Sequence, residues 1–158
     1  MTLPTSLTQQ DVDTLDFTAI SPQEFALLVR NTPRRALADI AGGPSRGRLL
    51  DEVFSRMESR FKPDTAGRLE ALVRWRITDP GQPDAVYETA IADGACTLTT
   101  GEGTREPRLG LTLATAEFLR LASGNASGVT LFMTRRLKVD GDLGLAAGLT
   151  RYFDIPKA

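Results

Sequence analysis

Histidine is absent from this 158-residue chain. Without an imidazole there is no Ser-His-Asp or Cys-His relay, no histidine general base and no histidine-ligated zinc, so the common hydrolase mechanisms lose most of their basis. Cysteine is nearly absent too. Cys96 stands alone, which excludes an intramolecular disulfide and a thiolate cluster for zinc or iron–sulfur and suits a reducing cytosol. Neither sign of charge is in excess: 19 Lys and Arg face 20 Asp and Glu, for a formal net charge of -1. No excess positive field is available to hold a nucleic-acid backbone or an anionic membrane, and neither is the expected main partner. No apolar run approaches the ~20 residues of a membrane span, and Met1 to Gln10 has neither a basic start nor an apolar signal core. A cytoplasmic protein is expected. Lysine is scarce as well, standing only at 62, 138 and 157, so that Arg fills 16 of the 19 basic positions, a bias of GC-rich bacterial genomes.

Apolar residues are plentiful. The hydrophobic share is 41%, and 14 glycines raise it toward the ~50% of a globular chain of one-domain length. Residues 1–20 are polar with scattered apolar positions and are expected to form a loosely ordered arm. Ser21-Pro22-Gln23-Glu24 has the form of a capping box, so a helix should start there, with Phe25, Leu28 and Val29 on one face. Thr32-Pro33 stops it and starts a second helix through Ile40, which Gly42-Gly43-Pro44 ends. Ser45 can cap a third, along which Leu49, Leu50, Val53, Phe54, Met57 and Phe61 recur at helical spacing until Pro63.

The period then changes to two. Leu69, Ala71, Val73, Trp75 and Ile77 alternate with Arg68, Glu70, Leu72, Arg74 and Arg76, which predicts a strand with one buried and one wet face. Residues 85–92 and 95–100 predict two more strands, joined at Asp93-Gly94 by a two-residue hairpin. Leu109, Leu111 and Leu113 alternate as a fourth strand after a polar loop. Thr115 can cap a helix carrying Phe118, Leu119, Leu121 and Ala122, ended by Gly124. Val129 to Met133 fits a helical turn or a strand start equally. Leu137 and Val139 make a short fifth strand, and Asp142 can cap a last helix through Phe153. This order predicts an α+β fold with helices over one face of a mixed sheet.

Few residues invite chemistry. Asp51 and Glu52 are adjacent on a helix and diverge, and Asp140 and Asp142 flank a Gly turn, so neither pair forms an acid/base dyad. The Ser of Gly124-Asn125-Ala126-Ser127-Gly128 is one position out from a nucleophile elbow and has no base. Cys96, in phase with Leu98, reads as a buried thiol. Arg135-Arg136-Leu137-Lys138 is the one basic cluster, and it fits either a solvated strand edge or a docking point for an acidic lipid headgroup or phosphate. Gly144 and Gly148 leave one face of the last helix bare, so a close backbone contact or a cavity must compensate.

The segment from Leu131 to Ala146, an apolar run followed by a basic-apolar-basic-apolar strand and Gly-Asp opening the last helix, resembles the closing signature of the sterol carrier protein type-two family of nonspecific lipid-transfer domains. Ile91-Ala92-Asp93-Gly94 is similar to that family's central hairpin, and 115–124 to its helix before the signature. One departure is Arg135, where the family usually has a small residue, commonly Gly. The resemblance covers roughly 49–153. It implies a bacterial stand-alone domain at 49–158 with a helical extension at 21–48, and a five-stranded mixed sheet separated from its helices by an apolar tunnel.

The resemblance further implies non-catalytic binding or transfer of a sterol, fatty acid, acyl-CoA, isoprenoid or other apolar ligand, with no cofactor or metal. Within such a tunnel the expected lining is Trp75, Phe118, Leu121, Leu131, Phe132, Met133, Leu143, Leu145, Leu149 and Phe153, with Arg136 the candidate for a headgroup. Expected partners are the lipid alone, with no nucleic acid and at most transient membrane contact, the chain being a monomer or weak dimer. The competing expectation is a structural or dimerisation module of the same fold, its pocket collapsed, serving a partner enzyme.

Overall fold

In the computed structural model, which describes residues 21–43 and 46–154, Ser21 opens the first helix, α1 (Pro22–Asn31), with both halves of the capping box. Its hydroxyl accepts from the Glu24 N–H and its own N–H donates to Glu24 Oε1, each at 3.1 Å. Thr32, extended before Pro33, separates α1 from α2 (Arg34–Ala41). The expected arm at 1–20 and the expected cap Ser45 lie outside the described residues. Helix α3 (Arg46–Ser59) buries Leu49, Leu50, Val53, Phe54 and Met57 along its apolar stripe. Pro63, expected only as a stop, also starts the single turn α4 (Pro63–Ala66).

Strands β1 (Ala71–Asp79), β2 (Gln82–Ala92) and β3 (Ala95–Thr100) form an antiparallel meander, and β4 (Leu109–Ala114) lies parallel to β1 on its other side. The sheet order is β3-β2-β1-β4-β5, with β5 (Leu137–Gly141) antiparallel to β4 at the edge. Asp93 and Gly94, with φ of 52° and 71°, supply the positive angles of the β2–β3 turn. Getting from β3 to β4 takes the 101–108 segment across the sheet face that carries Arg74 and Glu88. Those two strap it down: Glu88 accepts from the Gly103 N–H at 3.1 Å, and Arg74 donates to the carbonyls of Gly103 and Arg105 at 3.2 and 2.9 Å. Leu72, expected on the wet face, is buried, and its carbonyl accepts the Arg108 N–H at the start of β4.

The helical face carries one core. Phe25, Leu28, Val29, Leu37 and Ile40 from α1 and α2 join the same cluster as Phe54, Trp75 and Leu111. Arg46 fixes the start of α3 to the sheet. It is 7% exposed and donates to the carbonyls of Ile77 and Pro83 at 2.8 and 3.0 Å and to Thr115 Oγ1 at 3.1 Å. Thr115 is therefore not the cap that the sequence suggests. Ala114 holds the N-cap position of α5 (Thr115–Ala122) without a side-chain bond, and the Thr115 hydroxyl is used between Arg46 and the Thr78 carbonyl.

The ambiguous 129–133 run is a helix, α6 (Gly128–Met133), capped by Ser127, whose hydroxyl accepts from the Thr130 N–H at 3.0 Å. It ends through Arg135 at φ 63°, while the Arg136 N–H reaches back to the Leu131 carbonyl at 2.8 Å. That left-handed position normally belongs to glycine, because a Cβ there costs about 1–2 kcal/mol. Arg135→Gly is accordingly expected to raise the urea midpoint, by about 0.5–1 kcal/mol in stability once glycine's extra chain entropy is subtracted.

The last helix is shorter than its pattern. Asp142 caps α7 (Leu143–Gly148) by accepting from the Leu145 N–H at 2.9 Å, but the chain then tightens into a 3-10 turn at Leu149–Tyr152. Phe153, expected in the helix, pairs instead with Phe61 across an isolated bridge, and the Lys62 N–H bonds the Tyr152 carbonyl at 2.7 Å. The bare face at Gly148 is covered by the guanidinium of Arg151, which occupies the place of a Cβ.

Candidate functional site

Four aromatic rings fill the centre of the helical layer. Phe54 of α3 stacks on Tyr87 at 4.1 Å and on Phe118 at 4.4 Å, and Trp75 meets Phe54 and Phe118 edge-on at 5.7 Å. Their polar tips are satisfied. Trp75 Nε1 donates to Thr89 Oγ1 at 3.1 Å, and the Tyr87 hydroxyl donates to Asp51 at 2.6 Å. Burial, reinforced by that bond and by the Asp51 charge, pushes the Tyr87 phenol well above its ordinary range.

Beneath these rings lies a small apolar cavity lined by Met57, Trp75, Phe118, Leu121, Ala122, Leu149, Thr150 and Phe153. Its free space is about 10 Å³, roughly that of one water. Leu121, Thr150 and Phe153 also line a second, outer cleft of about 480 Å³, whose other walls include Ala126, Gly128 and Val129 on one side and Ala146 and Ala147 on the other. The outer cleft thus runs between α6 and α7 down to the inner cavity, closed at its base by those three residues.

A third space, about 400 Å³, lies on the opposite side of the 124–128 loop and shares Gly124, Ala126 and Ser127 with the outer cleft. Its walls are polar: Arg120, Arg136, Asn125, Thr130 and Thr134. Glu117, largely buried, holds both arginines, with Arg120 at 3.2 Å and Arg136 at 3.8 Å. Two guanidinium groups and several hydroxyls around one carboxylate leave a net positive cleft beside the outer one, whose small apolar walls are joined by Lys62, Ser127 and Asp154.

Of the residues expected to line a tunnel, Trp75, Phe118, Leu121, Leu149 and Phe153 meet at the inner cavity. Leu145 is a core residue that lines none of the three spaces, and Leu131, also core, lines only the arginine cleft. Phe132, Met133 and Leu143 stand outside, at 46%, 73% and 61% exposed. For Phe132 and Met133 the reason is local: α6 has six residues and buries only Leu131, so its other large apolar side chains face outward, while Leu143 stands at the exposed start of α7. Arg136 lies in the polar cleft. Sequence reasoning missed Met57, Ala122 and Thr150 in the cavity and Arg120 in the cleft; Met57 and Ala122 belong to apolar stripes that are visible in the sequence, whereas Arg120 had no such signal.

Cys96 lines none of these spaces. Burial, and then the neighbouring Glu58 carboxylate, push its thiol up to about 11, which leaves little thiolate at neutral pH.

A five-stranded mixed sheet whose helical face closes over an apolar cavity, with the C-terminal helix at its mouth, is a sterol-carrier-like α+β fold. The chain belongs to the SCP-2 sterol transfer family, whose model matches residues 50–154. No curated protein matches it in sequence. Among solved structures, it is similar to the stereoselective inverting sec-alkylsulfatase Pisa1 from Pseudomonas sp., with a TM-score of 0.61 at 17% identity over 70% of this chain and 17% of that one. It is also similar to palmitated SCP2L2 from Aedes aegypti, with a TM-score of 0.54 at 14% identity over 67% of this chain and 95% of that one. Sterol Carrier Protein-2 like-3 from the same organism gives 0.51 at 11%, over 67% and 93%. At these identities the likeness is one of fold.

Proposed function

We propose that the chain binds an apolar lipid beneath its helices and carries it without chemical change. The observation that carries this reading is that the outer cleft and the inner cavity share Leu121, Thr150 and Phe153 as a common wall. Family membership and the likeness to a palmitated relative support it. Filling the cavity requires Leu149 and Thr150 of the 3-10 turn, and Phe153 just after it, to swing outward, in a segment that follows a helix weakened by two glycines. Burial of ~0.8 kcal/mol per CH₂ offers a long acyl chain on the order of 10 kcal/mol before binding entropy is subtracted, so micromolar affinity needs no strong polar contact. Selectivity is correspondingly low, since one methylene is worth only ~1–3 kcal/mol. Fatty acyl, isoprenoid and sterol-like ligands all fit this chemistry. An anionic headgroup would reach the polar cleft over the 124–128 loop and meet Arg136 and Arg120.

Titration with a dansylated fatty acid and with a fluorescent sterol tests the reading. Saturable, stoichiometric binding below about 100 μM, the equivalent of ~5.5 kcal/mol, is expected, with no turnover of lipid esters or thioesters. Arg136→Ala should weaken the fatty acid about threefold to tenfold and leave the sterol unchanged, the range set by a partly exposed charge already shared with Glu117. Absence of saturable binding for both ligands would leave the fold as a collapsed-pocket module.

A further inference from the structure

Five large apolar side chains are exposed among the described residues, and four of them sit at one place: Val129, Phe132 and Met133 on α6 and Leu143 at the start of α7. These two helices pack together and form the walls of the outer cleft, with Val129 on its rim. Immediately beyond α6 come Arg135, Arg136 and Lys138, all exposed. Arg136 shares Glu117, while Arg135 and Lys138 have no ion pair among the described residues. Of the acids nearby, Asp142 is engaged by Arg108 at 2.9 Å, which leaves Asp140 as the opposing charge. An apolar tip beside unpaired cations, at the opening of the cleft that leads toward the inner apolar cavity, has the composition of a surface that sits in a charged bilayer interface.

We propose that α6, with Leu143 and the Arg135–Lys138 segment, is the face by which this chain docks on a bilayer carrying anionic headgroups. The proposal rests on the carrier reading above and adds to it the orientation of the loaded protein. With α6 in the interface, Phe132 and Met133 enter the acyl boundary, Arg135 and Lys138 meet the headgroups, and the cleft between α6 and α7 opens onto the lipid. A lipid then passes between bilayer and cavity without its chain crossing water. A protein partner would suit an apolar tip equally, but the unpaired cations favour a surface with spread negative charge.

Flotation of the full chain with equimolar phosphatidylcholine–phosphatidylglycerol vesicles, against pure phosphatidylcholine vesicles, tests this. Binding to the anionic vesicles is expected, falling as salt is raised. Met133→Asp should lower partition to them roughly tenfold or more, from loss of apolar insertion and added repulsion. Lys138→Glu should lower it about tenfold on anionic vesicles only, while leaving solution affinity for the dansylated fatty acid unchanged. Unchanged melting of both variants separates docking from folding. Wild-type protein that binds the fatty acid in solution but neither vesicle overturns the docking face alone, as does vesicle binding that both variants retain. Vesicle binding that both substitutions reduce, in a protein with no saturable lipid binding in solution, supports the docking face and overturns the carrier reading.

Discussion

Phe118→Ala is expected to destabilise the lipid-free protein by about 3–5 kcal/mol and, unusually for a core truncation, to be rescued by ligand. The ring is fully buried, stacks on Phe54 at 4.4 Å, meets Trp75 edge-on at 5.7 Å and lines the inner cavity. Its removal takes away two aromatic contacts and leaves a void beside the existing space of about 10 Å³. In an ordinary core such a void stays empty. Here it opens toward Leu121, Leu149 and Phe153, so acyl carbons can occupy it, and at ~0.8 kcal/mol per CH₂ about five of them offset most of the loss. Leu37→Ala is the control. Leu37 is as deeply buried, on α2, and lines none of the three spaces, so its loss of about 2–5 kcal/mol should be indifferent to ligand. Urea unfolding of each variant, with and without saturating fatty acid, reads the difference as an added ligand-induced shift. Equal shifts in the two variants would make Phe118 a core residue only and remove the inner cavity from the site.

The elements that the sequence predicts well are those whose signals are local. The capping box at Ser21 and Glu24 and the Asp93-Gly94 turn need only neighbours in the chain to form, and both are present. The alternation of β1 is legible for the same reason, because a side-chain period of two survives whatever lies opposite. What was not legible depends on distant partners. Thr115 has the residue type of a cap, but Arg46, 69 residues away, takes its hydroxyl. The last helix stops early because Phe153 and Tyr152 pair with Phe61 and Lys62, which no local pattern announces.

The same division runs through the site. Trp75, Phe118 and Leu121 sit on elements long enough for periodicity to say which face is inward. Helix α6 is less than two turns long, and in so short an element apolar content does not reveal direction. Leu131 turns inward while Phe132 and Met133, adjacent to it, turn out. Apolar residues that look alike in sequence therefore divide between a cavity and an exposed surface, and only the placement of α6 against β5 and α7 separates them.

That division yields the sharpest contrast between two substitutions of one kind. Leu149→Asp puts a carboxylate at a position 3% exposed, against Trp75, Phe118 and Phe153, where desolvation costs several kcal/mol. Against a total stability of about 5–15 kcal/mol, the 3-10 turn should detach or much of the protein unfold at neutral pH. Phe132→Asp, at 46% exposed, should shift the unfolding midpoint far less, by about 1 kcal/mol or below. The pH dependence of the loss identifies its cause. A carboxyl in the apolar cavity has its folded-state pKa raised above the unfolded value of about 3.9, so the folded variant tolerates it while protonated. Its deficit is then smallest below about pH 4 and grows by ~1.4 kcal/mol per pH unit up to the folded-state pKa. The wild type moves in the opposite sense. Burial alone would raise the Glu88 carboxyl, but the bonds from Arg74 and Gly103 and the charges of Arg74 and Arg105 hold it below the ordinary range, so its contribution is lost as pH falls. The quantity to follow is therefore the difference between variant and wild type in urea unfolding between pH 4 and 8, and it should widen with pH. A difference that stays flat would mean that the side chain at 149 reaches water, and that the space beneath the aromatic cluster is an open recess of the outer cleft.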